Sequence, residues 1–166
     1  MINDTPNLDS PMADFRPFLR RRPDGRPRLM GIVNATPDSF HAGSRVDSVA
    51  EAVEVSLAMW DAGADWVDVG GESTRPGALP VAVEDELERV IPVISALKDA
   101  RPDGLISIDT RRPEIAAAAL DAGADMVNDV SGLRDPAMLE LVRDRGCAVC
   151  IMHMLGEPGD MQSDPQ

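Results

Sequence analysis

Hydrophobic and polar positions along the chain switch between two periods. Short β-branched or apolar runs occur at Leu29–Asn34, in Trp66-Val67-Asp68-Val69, at Leu105–Thr110, at Met126–Asp129 and at Cys147–Met152. Their length and composition predict strands. Between them the spacing becomes helical. Asp47–Ala62 carries Val49, Val53, Leu57 and Trp60 on one side, and Val83–Ala100 carries a stripe of Leu87, Val90, Ile91, Ile94 and Leu97. Acidic residues 84, 86 and 88 suit the positive end of that second helix. Pro113–Ala122 and 136–145 complete the set, with Pro113 suited to a first turn and Gly146 to a stop. The pentapeptide Asp61-Ala-Gly-Ala-Asp65 recurs as Asp121–Asp125, and each copy leads into a similar run with a polar tip. Such a repeat predicts stacked βα units.

Ahead of these units, residues 1 to about 15 read as a mobile tail. Pro23-Asp24-Gly25 is a turn signal, so Phe18–Arg22 and Arg26–Leu29 form a possible hairpin. The expected division is a tail and hairpin over 1–28, then one α/β domain over 29–166.

Successive βα units fit an open doubly wound sheet or a (β/α)8 TIM barrel. The strand tips decide between them. Asn34, Gly70 with Glu72, Asp109, Asn128 with Asp129, and His153 all stand at expected carboxyl ends. A closed barrel directs every such tip toward one centre, whereas an open sheet gathers only those beside its switch point. The expected fold is therefore the barrel, with about its first five units in this chain.

Composition narrows the function. A net charge of −13 over 166 residues makes nucleic acid an unsuitable partner. Lys98 is the single lysine, a balance compatible with a high-salt cytoplasm and equally with an ordinary acidic surface. No run is long and apolar enough for a membrane span, and no signal peptide is evident, so a cytoplasmic enzyme is the default expectation. Cys147 and Cys150 lie in an apolar run and read as core packing, not as a redox or zinc pair.

Candidate chemistry concentrates after the second strand, in Gly70-Gly-Glu-Ser-Thr-Arg-Pro-Gly77. Glycines there let the backbone approach a bound group, and hydroxyls and Arg75 suit an anion. Each candidate also has a plain structural reading. Asn34 or Thr36 can organise a turn before Pro37, and Asp109 or Thr110 can cap the Pro113 helix. Asn128 and Asp129 can satisfy loop backbone, and His153 can bond a carbonyl. Their joint position at one rim favours a site containing Asn34, Asp109 and Asn128.

The motifs Met30-Gly-Ile-Val-Asn-Ala-Thr-Pro-Asp-Ser-Phe40, Val69-Gly-Gly-Glu-Ser-Thr-Arg-Pro-Gly77, Ile106-Ser-Ile-Asp-Thr110, Val127-Asn-Asp-Val130 and Met152-His-Met154 resemble those of the dihydropteroate synthase family. Gly156, Pro158 and Met161-Gln162 extend the likeness, which runs from about residue 29 to the last residue. The resemblance implies a TIM-barrel transferase of folate biosynthesis. Such an enzyme joins p-aminobenzoate to (7,8-dihydropterin-6-yl)methyl diphosphate and releases diphosphate with Mg2+. It further implies that Asn34 helps hold metal and diphosphate, that Asp109 and Asn128 hydrogen-bond the pterin, and that Asp109 faces developing positive charge. Met154 would pack on the ring, with Thr74, Arg75 and Pro76 in a loop over diphosphate and p-aminobenzoate. Small molecules are the implied partners. Family members form homodimers through a segment not found in this chain. Asp and Asn side chains, which accept and donate in one plane, suit a flat heterocycle.

The chain departs from the family pattern at His41-Ala42-Gly43-Ser44, where an Asp is usual at the position of Ala42. Motifs belonging to strands six to eight are not found before Gln166. The expectation that follows is an incomplete barrel, inactive as residues 1–166 alone, that retains weak pterin binding. Alternatives are a pterin-binding methyltransferase domain and a non-catalytic half-barrel.

Overall fold

The computed structural model of the chain describes residues 19–35, 45–72 and 81–152. The elements run β1 (Met30–Asn34), α1 (Arg45–Asp61), β2 (Trp66–Gly70), α2 (Val83–Ala100), β3 (Leu105–Asp109), α3 (Pro113–Asp121), β4 (Met126–Asp129), α4 (Pro136–Arg145) and β5 (Ala148–Ile151). All strand pairs are parallel, and the sheet order is β1-β2-β3-β4-β5. An order that never reverses is the succession of a (β/α)8 barrel, whereas a doubly wound sheet turns back at a switch point.

Period-two alternation divides each strand between two faces. One face meets the helices. Val33, Val67, Val69, Ile106, Ile108 and Val127 pack there with Val90, Val93, Ile94 and Leu97 of α2, Ile115, Ala116 and Ala119 of α3, and Met138 and Val142 of α4. This is the main core. The other face carries a small apolar cluster of Trp66, Met126 and Ala148, with Leu105 against it, toward the strands' amino ends. Along the same face toward the carboxyl ends come buried Asp68 and Ser107. The inner face thus changes from apolar to polar along the strands.

The pentapeptide repeat has one structural meaning in both copies. Gly63 and Gly123 end α1 and α3 with φ of 101° and 111°, in the left-handed region that favours glycine. Ala64 N donates to Met59 O and Ala124 N to Ala119 O, closing each helix end alike. The closing carboxylates then cap a neighbouring strand, Asp65 accepting from Leu29 N at 2.8 Å and Asp125 from Ile106 N at 2.9 Å.

Some expectations need correction. The Pro23-Asp24-Gly25 turn forms, with Gly25 N donating to Arg22 O at 2.9 Å and Arg22 N to Arg26 O at 3.0 Å. No strand ladder extends over the described residues beside it. Arg22 and Arg28 instead clamp Asp65 beneath the sheet, at 2.7 and 2.6 Å, and Arg22 also bonds Gly63 O. β1, read as a buried strand, buries only Val33 firmly; Ile32, in register with Asp68, faces the inner side and is 64% exposed. In α2 the buried stripe includes Val93 and Glu86, while Leu87 and Ile91 are only partly covered. Cys147 packs against the core, but Cys150 is exposed and both are free thiols, so the pair is not wholly a core feature. Among the described residues no helix is long and apolar enough to cross a membrane.

Candidate functional site

The parallel register lines up the strand ends. Asn34 pairs with Gly70, Gly70 with Asp109, Asp109 with Asn128, and Asn128 with Cys150. The residues one position earlier, Val33, Val69, Ile108 and Val127, all lie in the core beneath the helices. Asn34, Asp109, Asn128 and Cys150 therefore face the opposite, inner side as one polar row. Gly70 leaves the row open, since a Cβ there would stand 3.5 Å from Asp109 Oδ2.

Asp109 is the electrostatic centre of this row. Among the described residues its carboxyl receives no hydrogen bond. Burial, reinforced by the negative charges of Asp68, Glu86, Asp129 and Glu72, pushes its pKa from 3.8 to about 7. The group is half-buried and changes charge near neutrality. It does not cap α3: the N-cap is Arg112, with no side-chain bond, and Arg112 N donates to Thr110 Oγ1 at 3.2 Å.

Asn128 donates from Nδ2 to Asp68 Oδ2 at 3.0 Å. Asp68 sits on β2 one inward step below Gly70 and is 3% exposed. Burial raises its pKa, and the neighbouring Ser107 and Asn128 offset this in part. Only Asn128 meets hydrogen-bond geometry; Asp68 Oδ1 and Ser107 Oγ are buried without partners. Asp129 points the other way and is fully buried, accepting from Ser131 N, Ser131 Oγ and Leu133 N. The structural reading thus holds for Asp129 and fails for its neighbour Asn128.

A second polar network lies behind the row. Glu86, 1% exposed, accepts from Thr110 Oγ1 at 2.8 Å and from Arg112 Nη1 at 2.7 Å. Its pKa is raised by burial. Glu72 accepts from Val81 N at 3.1 Å, and Arg112 Nη2 donates to Val81 O at 2.6 Å. Arg89 donates to Gly71 O at 2.9 Å. These bonds join the β2 exit, the start of α2 and the β3 exit.

The structure brings together Asn34, Asp109 and Asn128. Thr74, Arg75, Pro76, His153 and Met154 lie outside the described residues. Sequence reasoning missed Asp68, Ser107, Glu86 and Cys150. For Asp68 a signal was present: a carboxylate inside a valine run, at the same strand parity as Gly70, faces whatever Gly70 faces. For metal, the described residues hold no group of three His, Cys, Asp or Glu arranged as ligands. Asn34 offers one neutral oxygen at the rim, a single candidate ligand for a cation.

Comparison with known proteins agrees with this arrangement. The family described as pterin binding enzyme matches residues 30–166. The dihydropteroate synthase of Escherichia coli (strain K12) is 47% identical over 140 residues, which is 84% of this chain and 49% of that protein. A probable bifunctional folylpolyglutamate synthase/dihydropteroate synthase of Haloferax volcanii is 54% identical over 132 residues, 80% of this chain and 16% of that protein. Among solved structures, the Yersinia pestis dihydropteroate synthase in a sulfonamide complex superposes with a TM-score of 0.75 at 43% identity, covering 85% of this chain and 51% of that one. The Xanthomonas albilineans enzyme with 4-aminobenzoic acid gives 0.73 at 52% identity, covering 80% and 49%. The chain spans about half the length of these single-function relatives. Five parallel strands in unbroken order, a polar row at their carboxyl ends and these matches lead to one conclusion: the chain belongs to the pterin binding enzyme family.

Proposed function

We propose that this chain supplies the pterin-holding side of a dihydropteroate synthase, which condenses p-aminobenzoate with (7,8-dihydropterin-6-yl)methyl diphosphate and releases diphosphate. The observation that carries this reading is the pairing of Asp109 with Asn128. They occupy adjacent strands in register on one inner face, and the Asp109 carboxyl has no donor of its own among the described residues. A carboxyl so placed complements the adjacent N–H donors along the pyrimidine edge of a pterin. Asn128 adds an amide beside it.

The same carboxyl serves the chemistry. As diphosphate departs, positive charge grows on the methylene carbon, and a preorganised anion stabilises it. Asn34 would hold Mg2+, which when bound neutralises charge on the departing diphosphate. Thr74, Arg75 and Pro76 would enclose diphosphate and p-aminobenzoate, and Met154 would pack on the ring; these roles rest on the family resemblance. The Xanthomonas albilineans enzyme, similar to this chain, has been solved with 4-aminobenzoic acid and with 7,8-dihydropteroate.

The test is a fluorescence titration of the purified chain with 6-hydroxymethylpterin. Saturable binding at one site, weakened by Asp109→Asn and by Asn128→Ala, is the expected outcome. Absence of binding by a folded chain, or binding by both variants as tight as the parent's, defeats the reading.

A further inference from the structure

Asp68 has no role in the fold that its chemistry explains. It lies on β2 facing the sheet's inner side, 3% exposed, and its neighbours toward the amino ends are the apolar Trp66, Leu105, Met126 and Ala148. A buried carboxylate costs stability unless it is paired, and a well-packed apolar side chain is commonly as stable or more so at such a place. Yet no cation answers Asp68 among the described residues. Its one hydrogen bond comes from Asn128 Nδ2 at 3.0 Å. Its other oxygen is buried beside the Ser107 hydroxyl, its register neighbour on β3, outside strict hydrogen-bond geometry. A hydroxyl that turns toward this oxygen gives Asp68 a second neutral donor but no compensating cation.

The bond has a direction that matters. A primary amide presents an acceptor on one side and two donors on the other, and rotation by half a turn exchanges them at nearly constant shape. A carboxylate accepts and cannot donate, so it selects the orientation in which Nδ2 turns down to Asp68. Asn128 Oδ1 and the second Nδ2 hydrogen are then left for the row that contains Asp109. We infer that Asp68 is a positioning residue of the pterin site, which holds the Asn128 amide in the one orientation that presents its acceptor beside the Asp109 carboxyl. The inference rests on Asn128 being a pterin ligand, as proposed above. Asp68 itself stays one layer below the row and acts through Asn128.

The experiment is a double-mutant cycle read by 6-hydroxymethylpterin titration of the whole chain, with Asp68→Ala, Asp68→Asn, Asn128→Ala and the Asp68→Ala/Asn128→Ala pair. Asp68→Ala is expected to raise Kd about tenfold, the scale of one hydrogen bond to a charged group. The pair should be no weaker than Asn128→Ala alone, because Asp68 works only through that amide. Asp68→Asn can accept from Nδ2 or, turned over, donate to Oδ1, so it no longer selects one amide orientation and should bind more weakly than the parent and no more weakly than Asp68→Ala. Additive losses overturn the inference, as does normal binding by folded Asp68→Ala, which leaves only a brace between strands. Where Asp68→Ala fails to fold, Asp68→Leu, branched alike though bulkier and unable to accept, takes its place with the same expectations. The side-chain amide protons of Asn128, followed by nuclear magnetic resonance, give an independent reading. They should exchange slowly with solvent in the parent and rapidly in Asp68→Ala; equal exchange in the two also overturns it. A parent chain that binds no pterin defeats the functional reading instead, and the amide exchange still decides whether Asp68 holds Asn128.

Discussion

Replacing Asp109 by Asn should make the protein more stable above neutral pH while weakening its hold on pterin. The structure gives the sign and the size. Burial, then the charges of Asp68, Glu86, Asp129 and Glu72, raise the Asp109 pKa from 3.8 to about 7. Between those values the folded chain keeps a proton that the unfolded chain releases. Stability from this group is therefore complete below about pH 4, falls as pH rises, and is gone above about pH 7. At about 1.4 kcal/mol per pH unit the full displacement corresponds to roughly 4 kcal/mol. Solvent relaxation around a half-buried carboxyl reduces this, and about 2 kcal/mol is the working figure. Asn has nearly the same shape and never ionises. Urea unfolding of both proteins at steps from about pH 5 to pH 8.5 should show the advantage of Asp109→Asn growing with pH. Asp68 and Glu86, also raised by burial, interact with Asp109, and removing its charge eases their ionisation, which acts in the same direction. Pterin affinity should fall about tenfold or more, since a charged acceptor is replaced by a neutral amide. A variant less stable than its parent at pH 8, or a difference that does not change with pH, refutes the electrostatic account.

Two further substitutions probe the scaffold. Burial pushes the Asp65 pKa up, but hydrogen bonds from Arg22, Arg28 and Leu29 N outweigh it and hold the value at about 2. Its stabilisation is present above the ordinary carboxylate range and lost as pH falls toward 2, so Asp65→Ala should cost about 1–2 kcal/mol at pH 7. In urea unfolding that difference should shrink on acidification; a constant difference refutes the assignment. Gly71→Ala would place a Cβ 2.8 Å from Val90 Cγ1 and 2.9 Å from Glu86 Cγ. Both neighbours are buried and Glu86 is tied to Thr110 and Arg112, so the cost should be about 1–3 kcal/mol, seen as a lower thermal midpoint. An unchanged midpoint would show that α2 can withdraw from the β2 exit.

Much of this protein is determined locally. Valine and isoleucine runs at period two and apolar stripes at helical spacing placed every strand and helix to within a residue or two. The repeat Asp-Ala-Gly-Ala-Asp encodes a left-handed glycine stop followed by a carboxylate that caps the start of the neighbouring, preceding strand, and it does so twice. The candidate residues Asn34, Asp109 and Asn128 were legible because polar side chains at the ends of apolar runs are an energetic anomaly. Tertiary structure decided what they meet. Register put Asp109 beside Asn128, and the turn after β4 made Asp129 a backbone cap while its neighbour faced inward. Glu86, legible as an ordinary helix-start acid, became buried only because α2 lies against the β3 exit, where Thr110 and Arg112 receive it. β1 looked like a core strand in sequence, yet Ile32 faces the inner side with Asp68 and is exposed, since which face a strand presents to the helices is set by the sheet. Asp68 marks the division most clearly. Its parity was readable from the chain, but its bond to Asn128 and its influence on Asp109 required three strands side by side, since hydrogen bonds and charge act through space at distances that sequence separation does not record.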